Sequence, residues 1–176
     1  MSSTLLKQLV VVIALVALCM GVIVIKHNNI RSLPYFDPDV GDNLFWTEAA
    51  FHFRHTRMIA EGGSIPAIDT QIQYPEGLDT RRYITPVMDH VYGRLHRWFF
   101  RDLPLHYFLV YAVAAVSTLA VVACFFAGCA LGGNTWVGLI CASLYGLAPA
   151  SWVRSTAMLG REDFALPLLF GSFVCF

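Results

Sequence analysis

Asp37, Asp39 and Asp42 fall within six residues, and a second acidic pair, Glu162 and Asp163, follows far along the chain. Carboxylate oxygens are the ligands that Mg²⁺ and Mn²⁺ prefer, so two such clusters brought together would suit a hard divalent cation. A cation in that position neutralises a phosphate or diphosphate leaving group. Each residue also has a plainer use. Asp39 or Asp42 can cap the helix that follows, and Glu162 and Asp163 can favour the N-terminus of a helix carrying Pro167. Arg154 and Arg161 can snorkel to a membrane surface. His52, His55, His90 and His96 do not fall into a tight metal-ligand spacing and read as surface or headgroup contacts. The five cysteines, Cys19, Cys124, Cys129, Cys141 and Cys175, all lie in apolar runs, so they read as packing or lipid-facing residues rather than a disulfide or zinc framework.

The elements that must position these groups are mostly helical. From Asn43 to Ala60 the spacing predicts a helix with two apolar stripes, Trp46, Ala49, Phe53 and Ala60 on one and Leu44, Phe51 and Met58 on the other. Glu48, His52 and His55 group on the face between them. Two stripes call for two apolar neighbours, a lipid surface and a protein body. Ile65 to Tyr74 alternates in part and predicts extended chain, ended by a turn at Pro75, Glu76 and Gly77. Val87 to Phe100 again has helical spacing, with Val87, Val91, Leu95 and Trp98 or Phe99 as its apolar stripe and Arg94, Arg97 and Arg101 interleaved. Trp98, Phe99 and Phe100 suit the headgroup level of a membrane.

Composition supplies that membrane. The 176 residues are 57% hydrophobic and 14% charged, with a mean hydropathy of +0.59, which is too apolar for an ordinary soluble domain. Formal net charge is zero, so nothing global argues for nucleic acid as a partner. Gln8 to Ile25 is uncharged and bounded by Lys7 and Lys26, which predicts a retained first span rather than a cleaved leader. Between Leu103 and Val153 there is no Asp, Glu, Lys or Arg, enough for two spans and a turn at Leu131 to Thr135. The frequent Gly, Ala and Ser of both spans suit close helix packing in lipid.

The expected fold is therefore an all-α membrane protein, a polytopic helical bundle with a long structured first external loop carrying interfacial helices. Its parts are a first transmembrane helix in residues 1–26, a loop over 27–104, transmembrane helices over 105–131 and 135–153, a second loop over 154–163, and the start of a fourth helix over 164–176. Because the second and third helices cross and return, the loops bearing Asp42 and Asp163 share one membrane face. The last apolar stretch is only 13 residues, which leads us to expect an N-terminal fragment, inactive by itself.

FDPDVGDNLFWTEAAFHFRHTRMIAEGG, then IPAIDTQIQYPEG, two uncharged spans and VRSTAMLGRED together resemble the N-terminal part of the oligosaccharyltransferase catalytic subunit family. These are multi-span glycosyltransferases that use lipid-linked sugars. The family has an Asp in its first external loop heading a helix that ends near a Gly, and Asp42 and Gly62 match. Tyr74, Pro75 and Gly77 match a YP-x-G element. Arg154, Ser155, Gly160 and Asp163 fit the second-loop signature, whose last acidic position falls here on Ala165 while Glu162 stands where the family is usually non-acidic.

By that resemblance the chain transfers a glycan from a polyprenyl-diphosphate carrier to an asparagine of an acceptor polypeptide. The resemblance implies Asp42 and Asp163 as catalytic residues, Mn²⁺ or Mg²⁺ held by Asp42, Asp163 and Glu162, and substrate contacts from Glu48, Tyr74, Arg154 and Arg161. It implies a multi-pass protein of the plasma membrane or the endoplasmic reticulum membrane, with its active face extracytoplasmic. Two alternatives stay open on the residues alone: an enzyme using polyprenyl-phosphate monosaccharides to glycosylate lipid or Ser/Thr, and a non-catalytic or truncated membrane protein.

Overall fold

A computed structural model of the chain describes residues 3–34, 36–37, 39–40, 44–45, 48–72, 75–83, 86–154, 164–165 and 167. The protein is mostly helical and divides into two compact units. The first comprises residues 1–34, 113–156 and 162–176, the second 35–112 and 157–161.

The first unit is built on α1 (Ser3–Arg31), the larger part of α5 (Leu105–Gly132), α6 (Thr135–Leu147) and α7 (Pro149–Arg154). Val11 and Val22 of α1, Val121 and Phe125 of α5 and Ala142 of α6 form its core, with Leu15, Leu18, Cys19, Cys129, Leu139 and Tyr145 packed against them. Small residues set the spacing. A Cβ on Gly138 would meet Cys129 Sγ at 2.4 Å and the Phe125 carbonyl at 2.7 Å, so α6 approaches α5 more closely than any side chain there would permit. Asn134 caps α6, its side chain accepting from the Trp136 N–H at 2.9 Å, just beyond Gly133, whose φ of +61° turns the chain. That connection lies inside the predicted Leu131–Thr135 turn. Cys19, Cys124, Cys129 and Cys141 are free thiols, and Cys175 lies outside the described residues.

Helices α1 and α5 are each long and apolar enough to cross a membrane. α1 leaves Leu5, Leu6, Leu9, Val12, Ile13, Val16 and Met20 about half exposed. It also runs past Lys26, which the sequence sets as the border of the apolar run. Lys26 is instead 2% exposed, and its Nζ donates to Ser117 Oγ of α5 at 2.7 Å. The apolar stretch 135–153 differs from the single helix expected. Pro149 lacks an N–H and disfavours helical backbone at the residue before it, so Ala148 is extended at φ −67° and ψ 128° and α6 stops after 13 residues. Trp152 of α7 then donates through Nε1 to the Gly146 carbonyl left open by the break, at 3.0 Å.

The second unit carries α2 (Glu48–Ala60), a two-stranded antiparallel ladder of β1 (Ile68–Asp69) and β2 (Leu78–Asp79), the short α3 (Thr80–Tyr83), α4 (Val87–Phe99) and the first turns of α5. Among the described residues of the predicted extended segment, Ile68–Asp69 is paired strand. α2 is Glu48–Ala60, and the described Leu44 and Phe45, which the expected helix from Asn43 would include, are not helical. Leu44 and Phe45 are 2% and 4% exposed, and the Phe45 ring stacks on Phe53 at 4.6 Å. The end of α2 is a Schellman arrangement: Gly63 N–H donates to the Met58 carbonyl and Gly62 N–H to the Ile59 carbonyl, with Gly62 at φ +93°.

Packing of α2 on α4 buries the polar face of α2. The buried side of α2 is Ala49, His52, His55, Thr56 and Ile59, which includes the polar face set between the two stripes. On α4 the buried side is Met88, Asp89, Tyr92, Gly93 and His96, while Val87, Trp98 and Phe99 of the predicted stripe are 55%, 67% and 70% exposed. Gly93 explains the closeness. A Cβ there would lie 2.7 Å from Ile59 Cβ and 2.8 Å from the Thr56 carbonyl, so the bare backbone of α4 rests on α2.

Candidate functional site

Close contact at Gly93 brings Asp89, one turn earlier on α4, against the polar face of α2. A fully buried carboxylate persists only if it is paired or hydrogen-bonded. Asp89 is 0% exposed and receives His52 Nδ1 at 3.0 and 3.2 Å from its two oxygens and the Thr56 hydroxyl at 3.3 Å. His55, also 0% exposed, turns Nδ1 toward Asp89 Oδ2 at 4.0 Å and Nε2 to Asp69 Oδ2 at 3.1 Å. Asp69 in β1 is further bonded by the Arg54 guanidinium and by the Gln71 N–H at 3.1 Å. Two carboxylates, two imidazoles and a guanidinium thus form one line that ties α2 to α4 and to the β ladder.

Burial by itself would raise the Asp69 carboxyl. The hydrogen bonds from Arg54, His55 and the Gln71 N–H, with the charge of Arg54, outweigh it and hold the group below the ordinary carboxylate range. Chemically the line is suited to holding rather than reacting. His52, His55, Asp69 and Asp89 are each at most 3% exposed, which leaves no room for a substrate atom between them. The expectation of His52, His55 and His96 as surface contacts is overturned: all three are buried, His96 donating from Nε2 to the Leu103 carbonyl at 2.8 Å and packing on Phe108.

Of the residues that the resemblance assigns to the site, Glu48 is the one fully described. It opens α2 with a half-exposed side chain, 3.9 Å from His52 Nε2, where its charge also suits the helix N-terminus. Arg154 is the last residue of α7, described in its backbone. Asp42, Tyr74, Arg161, Glu162 and Asp163 lie outside the described residues. Asp37 Oδ1 accepts from the Asp39 N–H at 2.9 Å. Among the described residues no three His, Cys, Asp or Glu side chains are placed to hold a metal ion.

Sequence reasoning missed Asp69 and Asp89 altogether. A signal for Asp89 was present. It precedes Tyr92, Gly93 and His96 at helical spacing, and a Gly that allows close approach beside an acid on the same face marks a polar contact between helices. Asp69 had no comparable signal, because its partners come from a helix 14 and 15 residues away.

The second unit also has an open cleft of about 440 Å³ between the ends of α2 and α4, lined by Arg57, Ala60, Glu61, His96, Arg97, Arg101 and Leu105. None of the four buried acid and imidazole groups lines it. No protein-family model, curated protein or solved structure matches the chain.

Proposed function

We propose that the chain belongs to a membrane glycosyltransferase of the oligosaccharyltransferase kind, moving a glycan from a polyprenyl-diphosphate carrier to an asparagine side chain. The observation that carries this is the order and spacing of the elements: an aspartate-rich segment before a helix with Gly62 at its end, YPEG at 74–77, two apolar stretches, and RSTAMLGRED at 154–163. Support comes from α1 and α5, each long and apolar enough to cross a bilayer, and from the left-handed Gly62 that closes α2.

In the transfer, the bond from the anomeric carbon to the diphosphate oxygen breaks and a bond to the asparagine nitrogen forms, with loss of an amide proton. Asp42 accepts a hydrogen bond from the acceptor amide and turns its nitrogen toward the sugar. Arg154 and Arg161 meet the phosphates with charge-assisted hydrogen bonds. Tyr74 and Glu48 line the groove. Three carboxylates form a donor set that suits Mg²⁺ or Mn²⁺, so Asp42, Asp163 and Glu162 would hold such an ion, which neutralises the departing diphosphate when bound.

Donor binding tests this without requiring turnover. The purified chain is photolabelled with a polyprenyl-diphosphate sugar carrying a diazirine, with and without Mn²⁺. Labelling should depend on Mn²⁺ and fall at least tenfold in Asp42→Asn and Asp163→Asn. Asn caps a helix about as well as Asp, so a capping role predicts no such loss. Equal labelling of wild type and both variants would remove the proposal.

A further inference from the structure

The cleft between the ends of α2 and α4 has features that the transfer chemistry does not use. Three guanidinium groups, Arg57, Arg97 and Arg101, line it against one carboxylate, Glu61, and that carboxylate is already bonded to Arg57 Nε at 3.0 Å. The Arg97 guanidinium lies against Gly62, where a Cβ would be 3.0 Å from Nη1, so any side chain at the α2 terminus would displace it. His96, 8% exposed, also lines it, its Nε2 donating to the Leu103 carbonyl. The net charge of the lining is positive, and its arginines offer forked donors that fit a phosphate.

The surroundings select the source of that phosphate. Leu105, at one wall, is the first residue of the 28-residue apolar α5. Trp98, Phe99, Phe100 and Leu103, in the stretch that joins α4 to α5, are 67%, 70%, 43% and 45% exposed. Aromatic side chains beside the start of an apolar helix sit at headgroup level, and arginines there meet anionic lipid. We propose that this cleft binds the phosphate headgroup of an anionic membrane phospholipid, whose acyl chains run along α5. The site presumes the membrane-embedded chain of the preceding section, though not its transfer reaction. A volume of about 440 Å³ accommodates a glycerophosphate headgroup.

The test is lipid retention by native mass spectrometry of the full chain in neutral detergent, offered phosphatidylglycerol or phosphatidylcholine in equal amounts. Phosphatidylglycerol should be retained several-fold more. Arg97→Gln and Arg101→Gln should each lower its retention about fivefold, while Arg94→Gln, on the same helix but outside the cleft, should not. Arg101→Lys keeps the charge and should restore most of the binding, which separates loss of the site from loss of the fold. Equal retention of the two lipids, or an equal effect at Arg94, overturns the proposal. Full displacement by millimolar inorganic phosphate overturns the lipid as occupant and leaves a soluble anion site. Extraction by alkaline carbonate is measured in parallel: release of the chain there defeats the membrane-embedded reading, whatever the lipid result.

Discussion

His52 Nδ1 lies 3.0 Å from Asp89 Oδ1, an imidazole of one helix on a carboxylate of another, with both side chains buried. Thirty-seven residues separate them in sequence. The pair, extended through His55 to Asp69, gives the α2–α4 packing a specific register that apolar contacts alone would leave loose.

Asp89→Ala should therefore destabilise the second unit more than any single apolar truncation on the exposed side of α4. Asp89 accepts from His52 and from Thr56, and leaving a buried polar group without its partner costs about 1–3 kcal/mol. Hydrogen exchange along 48–60 and thermal unfolding in detergent read the effect. A change within about 0.5 kcal/mol, the usual range of a surface substitution, would mean that the line of acids and imidazoles does not hold α2 on α4.

Acid should loosen the attachment of β1. The Asp69 carboxyl is held below its ordinary value, so the folded state binds fewer protons than the unfolded one near that range. Its contribution is fully present above the unfolded pKa of about 3.9 and is lost as pH falls through the lower folded value. Arg54→Gln removes the main opposing hydrogen bond, costs about 1–3 kcal/mol at neutral pH and moves the acid transition to higher pH. An unchanged acid midpoint in Arg54→Gln would show that Asp69 does not depend on that pair.

Gly93→Ala should push α4 from α2, because the new Cβ meets Ile59 and the Thr56 backbone at 2.7–2.8 Å. Overpacking of this kind costs about 1–3 kcal/mol. The Thr56 and His52 bonds to Asp89 should lengthen with it, so Gly93→Ala and Asp89→Ala together should cost less than the sum of the two. Strict additivity would mean that the close approach and the buried carboxylate are independent.

If α5 spans a bilayer, its two ends lie on opposite sides. With the five native cysteines replaced by alanine, Glu76→Cys and Thr135→Cys, both at exposed positions, should react with an impermeant maleimide from opposite faces. Reaction of both from one face would defeat the spanning assignment of α5.

Much of the local structure is legible in the sequence. The uncharged runs show where α1 and α5 must lie, because backbone in an apolar environment satisfies itself as helix. Asn134 after adjacent glycines marks the turn before α6, and Gly62 marks the end of α2. Pro149 was visible too, and its effect on Ala148 follows from the same local sterics that the sequence states. Hydrophobic periodicity misled on α2, where the face between the two apolar stripes is the buried one. Val87, Trp98 and Phe99 form a stripe that pattern alone cannot assign to a core or to an outer surface, and the packing leaves them exposed. What the tertiary structure decided is which polar residues go inside. His52, His55, Asp69, Asp89 and Lys26 each carry a cost on burial that only a partner from another element removes, and those partners stand between 14 and 91 residues away. No local window contains both halves of such a pair, so the sequence determined the helices, and the meeting of distant side chains determined their faces.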